Sequence, residues 1–247
     1  MTAGPIVMVH GAWGGSYSFH KVRPLVHRAG IEVFTPSLTG IGERSHLTHP
    51  GVCLSTHVQD VVNAILYEDL DDVVLLGFSY GGMVVTGALD HIGDRVSHLV
   101  YLDAFVPQNG QSASSIMQGV DSTPPPGHGL GDEWLIPPLP RHMDDRAEMA
   151  WSDARRTPQP VGTFTEPVRL SKPLEEWPFS LTYIKATDDP AEAADSAFWQ
   201  AAEVARTSPS WLLHEIATHH LVPFSHPEQL VAILLDLARQ ASPSDSA

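Results

Sequence analysis

The chain has 247 residues, of which 43% are hydrophobic, enough for one well-buried core, and α/β folds of this length are routinely single domains. Its 14 basic and 29 acidic residues give a formal charge of −15, which repels polyphosphates and anionic membrane surfaces, so neither nucleic acid nor membrane is expected as a partner.

The start, Met1-Thr2-Ala3-Gly4-Pro5, has no basic region. The apolar strand after it spans only about five residues, too short for the core of a signal peptide or a membrane span, which makes the cytoplasm the expected location. That strand, Ile6–His10, runs into the glycine-rich loop His10-Gly11-Ala12-Trp13-Gly14-Gly15, and a second strand is expected at Glu32–Pro36. The lone cysteine, Cys53, excludes an intrachain disulfide and reads as a small packed residue. After Ser55-Thr56, which read as a cap, Val58, Val61, Val62, Ile65 and Leu66 recur at helical spacing, so this face should pack on a sheet.

A third strand, Val73–Phe78, leads into Gly77-Phe78-Ser79-Tyr80-Gly81 and then the helix-compatible Met83-Val84-Val85-Thr86-Gly87-Ala88-Leu89. Gly-x-Ser-x-Gly between a strand and a helix is the context of a nucleophile elbow. The serine sits on a tight turn with its hydroxyl clear of the sheet, and glycines two residues either side avoid collisions. Further strands are expected at Ser97–Asp103, Ser180–Ala186 and Trp211–Glu215. The last helix is expected after Ser225-His226-Pro227-Glu228, with the spacing of a capping box and with Leu230, Val231, Ile233, Leu234 and Leu237 as its apolar face.

Between Pro107 and Trp177 no strand-like run occurs, and prolines cluster in Thr123-Pro124-Pro125-Pro126 and Leu135-Ile136-Pro137-Pro138. The expected organisation is a core from residues 1–106 and 178–241, a cap from 107–177, and a flexible tail from 242–247. The core is an α/β fold: a mainly parallel sheet of about six strands flanked by helices and covered by a helical and loop cap. Met117, Trp134, Leu135, Met149 and Trp151 from the cap, with Trp13 and Leu221, are expected to line the substrate pocket.

A serine hydroxyl needs a base, and the base needs a carboxylate that fixes its tautomer. The elbow resembles that of α/β hydrolases, whose chain order is serine, acid, histidine, the acid after a strand and the histidine on the loop after the last one. Asp188 or Asp189 follows the strand ending at Ala186, and His219 or His220 follows the strand at Trp211; Asp189 and His220 are preferred. The oxyanion donors are expected from the amides of Ala12 and Tyr80. His10 is expected to hold the glycine loop by a hydrogen bond. No metal-ligand spacing and no GxGxxG or GKS/T phosphate loop occurs, so neither metal nor cofactor is expected.

Val9-His10-Gly11-Ala12-Trp13-Gly14-Gly15-Ser16-Tyr17, Pro36-Ser37-Leu38-Thr39-Gly40-Ile41-Gly42-Glu43-Arg44, the elbow, and His219-His220 before Ser225-His226-Pro227 carry a closer likeness. They resemble the α/β-hydrolase branch of plant methyl-ester esterases, hydroxynitrile lyases and bacterial pyrethroid-type esterases. That resemblance implies a histidine seven positions before a proline, which selects His220 ahead of Pro227, and an acid ten positions before a tryptophan, which selects Asp189 ahead of Trp199. Hydroxynitrile lyases of the branch carry a threonine after the first-loop histidine and a lysine after the catalytic one; Gly11 and Leu221 stand in those places here, which disfavours lysis. The implied activity is cofactor-independent hydrolysis of small to medium apolar carboxylic esters through an acyl-enzyme. Lactones, thioesters, amides and carbamates are alternatives on the same residues, followed by carbon–carbon lysis and by a non-catalytic receptor on a hydrolase scaffold. Homodimerisation is left open.

Overall fold

The apolar, β-branched runs of the sequence become the strands of one parallel sheet. The computed structural model describes residues 3–118, 134–188 and 196–240. The first half of the fold comprises β1 (Ile6–Val9), α1 (Val22–Arg28), β2 (Val33–Phe34), α2 (Leu54–Tyr67), β3 (Val73–Phe78), α3 (Gly81–Ile92) and β4 (Val96–Leu102). Short elements follow: α4 (Ala113–Gln118), β5 (Leu135–Ile136), α5 (Arg146–Asp153), β6 (Gln159–Pro160) and α6 (Gly162–Thr165). The chain then returns through β7 (Ser180–Ala186), α7 (Ala197–Thr207), β8 (Trp211–Ile216), α8 (Val222–Ser225) and α9 (Pro227–Gln240).

The six long-sheet strands are ordered β2-β1-β3-β4-β7-β8, all neighbours parallel. Side chains alternate between its two faces. Val7, Val9, Leu75, Leu99, Tyr101 and Tyr183 join one apolar cluster with residues of α2, α3 and α7, while Ile6, Met8, Val74, Leu76, Val100 and Ile184 join another with α1 and α9. Burial on both faces explains why the strands read as continuous apolar runs. Pairing puts Val9 opposite Gly77, Phe78 opposite Leu102, and Leu102 opposite Ile184. The carboxyl ends of β1, β3, β4 and β7 therefore lie along one edge, and the loops leaving them converge there.

Three local expectations are corrected. The cap of α2 is Cys53, not Ser55-Thr56, with the Cys53 N–H donating to Thr56 Oγ1 at 3.3 Å. The capping box expected at Ser225 is not formed: Ser225 belongs to α8, and its hydroxyl receives a bond from Thr218 at 2.8 Å, while Pro227 opens α9. Proline suits a helix start because its missing N–H has no helical acceptor there. The stretch expected to lack strands contains the antiparallel pair β5 and β6, only two residues each and ending at Pro160, where a proline is tolerated because the pair is short and open-edged. Among the described residues no helix is long and apolar enough to cross a membrane.

Candidate active site

Ser79 sits where β3 turns into α3 with φ +55°, a left-handed conformation that non-glycine residues rarely adopt. The flanking glycines make the turn sterically feasible: a Cβ on Gly77 would lie 2.7 Å from the Gly81 carbonyl oxygen, and one on Gly81 would lie 2.5 Å from that of Val9. Of the non-glycine residues with positive φ among those described, Ser79, Trp13 and Asp103 all belong to the loops at the carboxyl edge of the sheet. Backbone strain of this kind costs on the order of 1–3 kcal/mol per residue and persists where the surroundings over-determine it.

The surroundings here are a second turn. The Ser79 N–H donates to the Leu102 carbonyl at 3.1 Å, and the Ser79 carbonyl accepts from Phe105 at 3.2 Å, so the turn after β3 and the turn after β4 are bonded into one unit. Asp103 stands at the head of the second turn with φ +40°. Its N–H donates to the Ile184 carbonyl at 2.8 Å, and the Tyr183 hydroxyl bridges the Ala104 N–H and carbonyl, each at 3.1 Å.

The Asp103 carboxylate is wholly buried and accepts from His220 Nδ1 through Oδ2 at 2.6 Å and from Lys185 Nζ through Oδ1 at 2.8 Å. Burial pushes its carboxyl pKa up, but the hydrogen bond and charge of His220 together with Lys185 outweigh that and hold it below the ordinary carboxylate value. The His220 ring is fixed from two sides, stacked on Phe198 at 5.1 Å and 5° and tilted over Phe78 at 4.9 Å. Phe78 precedes Ser79, so the imidazole lies beside the strand end that carries the serine. Among the described residues no Ser79–His220 hydrogen bond is formed; bonds of this type tighten when substrate is present.

His219 is occupied differently. Its Nδ1 accepts from the Leu221 N–H at 3.1 Å, and burial leads the influences that lower its pKa. His10 braces the glycine loop, with Nδ1 donating to the Gly11 carbonyl at 2.9 Å and Nε2 accepting from Leu38 N–H at 3.1 Å. A further buried histidine, His57, was not singled out from the sequence. Its Nε2 donates to the Thr39 carbonyl at 2.8 Å, which leaves Nδ1 to accept from the Tyr80 hydroxyl at 3.0 Å. Burial pulls the His57 pKa down to about 3 and raises that of Tyr80 well above its ordinary value, so both are neutral and Tyr80 is fastened behind the elbow.

The amides of Ala12 and Tyr80 face no protein acceptor: among the described residues neither N–H donates a hydrogen bond. Buried or half-buried amides are ordinarily paired, so two unspent donors beside a strained serine suit an incoming anion. Trp13, next to Ala12, is held by the inserted segment. Its N–H donates to Gln159 Oε1 at 2.8 Å, its indole N–H to the Ile136 carbonyl at 3.0 Å, and its carbonyl accepts from Thr157 at 3.2 Å.

Of the other residues expected to line the pocket, Met117, Met149, Trp151 and Leu221 are divided between the two apolar clusters. Met117, like Trp13, packs against the cluster of α2 and α3, and Met149, Trp151 and Leu221 belong with the cluster of α1 and α9. Trp151 is wedged against Tyr17 and His20 with the Arg155 guanidinium 4.0 Å from its ring, a contact that fastens α5 to the core. Leu135 pairs with Pro160 in the small sheet, and the Trp134 carbonyl accepts from Val161 at 2.7 Å. Asp189 lies outside the described residues, and Asp188 is exposed, its N–H donating to the Thr218 carbonyl at 3.0 Å. A carboxylate that sequence reasoning did not single out, Asp103, is the one bonded to His220 among the described residues. Its signal in the sequence is an apolar strand run ending in a carboxylate, as the neighbouring run ends at the Ser79 turn. Among the described residues no three His, Cys, Asp or Glu side chains cluster so as to hold a metal ion.

Comparison with known proteins agrees with this architecture. The carbendazim hydrolyzing esterase of Nocardioides sp. (strain SG-4G) is 37% identical over 176 residues, 67% of this chain and 73% of that protein. Methylesterase 8 of Arabidopsis thaliana is 32% identical over 130 residues, 51% of this chain and 47% of that one. A solved extracellular alpha/beta-hydrolase from a Paenibacillus species shares the fold with a TM-score of 0.77 at 20% identity, covering 95% of this chain and 99% of its own. The model of the alpha/beta hydrolase family matches residues 6–233, and with the elbow, the parallel sheet and these relatives it shows that the chain belongs to that family.

Proposed function

We propose that the protein is a serine esterase that hydrolyses carboxylic esters through an acyl-enzyme on Ser79, with His220 as base, Asp103 as acid, and the Ala12 and Tyr80 amides as oxyanion donors. The observation that carries this reading is the bonding of the Ser79 and Asp103 turns into one unit with His220 seated on it. The carboxylate can only accept, so His220 Nδ1 carries the proton and Nε2 is free to take one from the serine hydroxyl. Attack of Ser79 Oγ on the ester carbon forms a tetrahedral oxyanion, whose charge meets the two unspent amides. Collapse expels the alcohol, which takes the proton from His220. Water, deprotonated by the same histidine, attacks the acyl-enzyme and releases the acid, and Ser79 recovers its proton.

The relatives support ester cleavage, since one is named for carbendazim hydrolysis and another as a methylesterase. The segment of residues 107–177 acts in this reading as a cap that selects the substrate, and its bonds to Trp13 make cap position and oxyanion-loop position one variable. A series of p-nitrophenyl and methyl esters, lactones and carbamates of graded bulk, compared by kcat/KM, tests both parts. Ester turnover abolished in Ser79→Ala is the expected result, and turnover retained in that variant overturns the proposal.

A further inference from the structure

Lys185 is a lysine inside a strand that is buried from Leu181 to Ala186, and its side chain is completely enclosed. Its ammonium donates to Asp103 Oδ1 at 2.8 Å and to the Ala186 carbonyl, and it stands 4.4 Å from the centre of the Trp199 ring. The two oxygens of Asp103 are thus divided, Oδ1 to Lys185 and Oδ2 to His220. Replacing a buried ion pair by apolar side chains of similar volume is often neutral or stabilising, so stability alone gives little reason for this lysine.

Its position suggests another reason. A carboxylate facing only an imidazole draws the proton strongly onto the pair, whereas a second cation on the same carboxylate offsets part of that field. It also removes the option of a neutral, protonated acid, and by occupying Oδ1 it keeps Oδ2 turned to the histidine. We infer that Lys185 is a positioning residue for the hydrolytic reaction, holding Asp103 ionised and aimed at His220 and setting the pH at which His220 becomes available as a base.

The inference rests on the triad of the proposed function. Among the described residues the Asp103 carboxylate is acted on by His220 and Lys185, and His219, next to His220, is in turn acted on by Asp144, His142, His220 and His226. The helix α7 presents the Phe198 and Trp199 rings, and β3 the Phe78 ring.

The test is the pH profile of kcat/KM for p-nitrophenyl acetate in the full chain carrying Lys185→Met, Lys185→Gln or Lys185→Arg, with circular dichroism to verify folding. Both neutral variants are expected to move the acid limb up by about one pH unit, while the charged variant keeps it near the parent value. A uniform loss of kcat/KM with the limb unmoved overturns the inference, as does failure of both neutral variants to fold, since either result assigns the lysine to stability alone. Asp103→Asn distinguishes the two levels: parent kcat in that variant removes the triad reading itself, whereas its inactivity beside an unmoved limb in Lys185→Met removes only the role of Lys185.

Discussion

Asp103→Asn is the substitution that separates the observed geometry from the expectation drawn from sequence. The asparagine keeps the shape of the side chain but removes the charge that faces His220 at 2.6 Å and Lys185 at 2.8 Å. Two consequences follow. If the amide nitrogen turns to His220, the ring must present an unprotonated Nδ1, the wrong tautomer for a base at Nε2; if the oxygen does, the developing imidazolium still lacks its counter-charge. In a Ser-His-Asp site this change lowers kcat by about 10⁴, or roughly 5.5 kcal/mol of transition-state stabilisation. The variant also puts a neutral amide where the enclosed Lys185 ammonium meets a carboxylate, which should lower stability. Steady-state hydrolysis of p-nitrophenyl acetate and urea denaturation followed by circular dichroism measure the two effects separately. Parent kcat in Asp103→Asn, with activity lost instead in Asp189→Asn, would refute the assignment and restore the acid expected from the sequence.

Three further outcomes are expected. His57 has a folded pKa of about 3 against an ordinary 6.5, so the unfolded chain binds the extra proton between those values. Its contribution to stability is therefore fully present above the unfolded pKa and lost as pH falls toward the folded one, at up to about 1.4 kcal/mol per pH unit. Urea midpoints from pH 7 downward should fall less steeply in His57→Gln than in the parent chain; identical slopes would count against it. Gln159→Ala leaves the Trp13 N–H without its acceptor and loosens the oxyanion loop, so kcat should fall while Ser79 still reacts with a phosphonate probe; an unchanged kcat contradicts the coupling of cap and loop. Gly77→Ala forces a Cβ to within 2.7 Å of the Gly81 carbonyl and Val85, and thermal unfolding should show it markedly less stable than Gly30→Ala, where no atom lies within 4 Å and only the left-handed backbone, φ +78°, opposes a side chain. Equal losses at the two positions would mean that the elbow is less tightly packed than the geometry implies.

The strands were legible because each is buried on both faces, which leaves β3 as an uninterrupted Val73-Val74-Leu75-Leu76 and gives the parallel sheet away. Ser79 was legible because two glycines are sterically required around it. His220 stood out by its place after β8 and by the resemblance, which sets it seven positions before Pro227; the structure adds that His219 is bonded to a backbone amide and His220 to a carboxylate. The acid was the harder case. Asp103, like Asp189, lies after a strand and between the serine and the histidine in chain order, so order alone could not separate them. What the structure adds is long-range: Asp103, at the end of β4, meets His220 and the buried ammonium of Lys185 from β7, while Asp189 lies outside the described residues. Aromatic residues look alike in sequence whether they face a pocket or clamp a helix, and only the structure shows Trp151 packed against His20 and Arg155. The helix starts at Cys53 and Pro227 were misplaced because several short polar residues stood within one turn of each, and tertiary contacts chose among them.

The central claim is an acyl-enzyme on Ser79, and its most direct measurement is intact-mass spectrometry with peptide mapping after rapid acid quench of the protein mixed with p-nitrophenyl acetate. The account requires one acetyl group on the peptide containing Ser79, formed with a burst of p-nitrophenol, and neither label nor turnover in Ser79→Ala. Sustained hydrolysis by Ser79→Ala, or acetyl transferred to another residue during turnover, would contradict it.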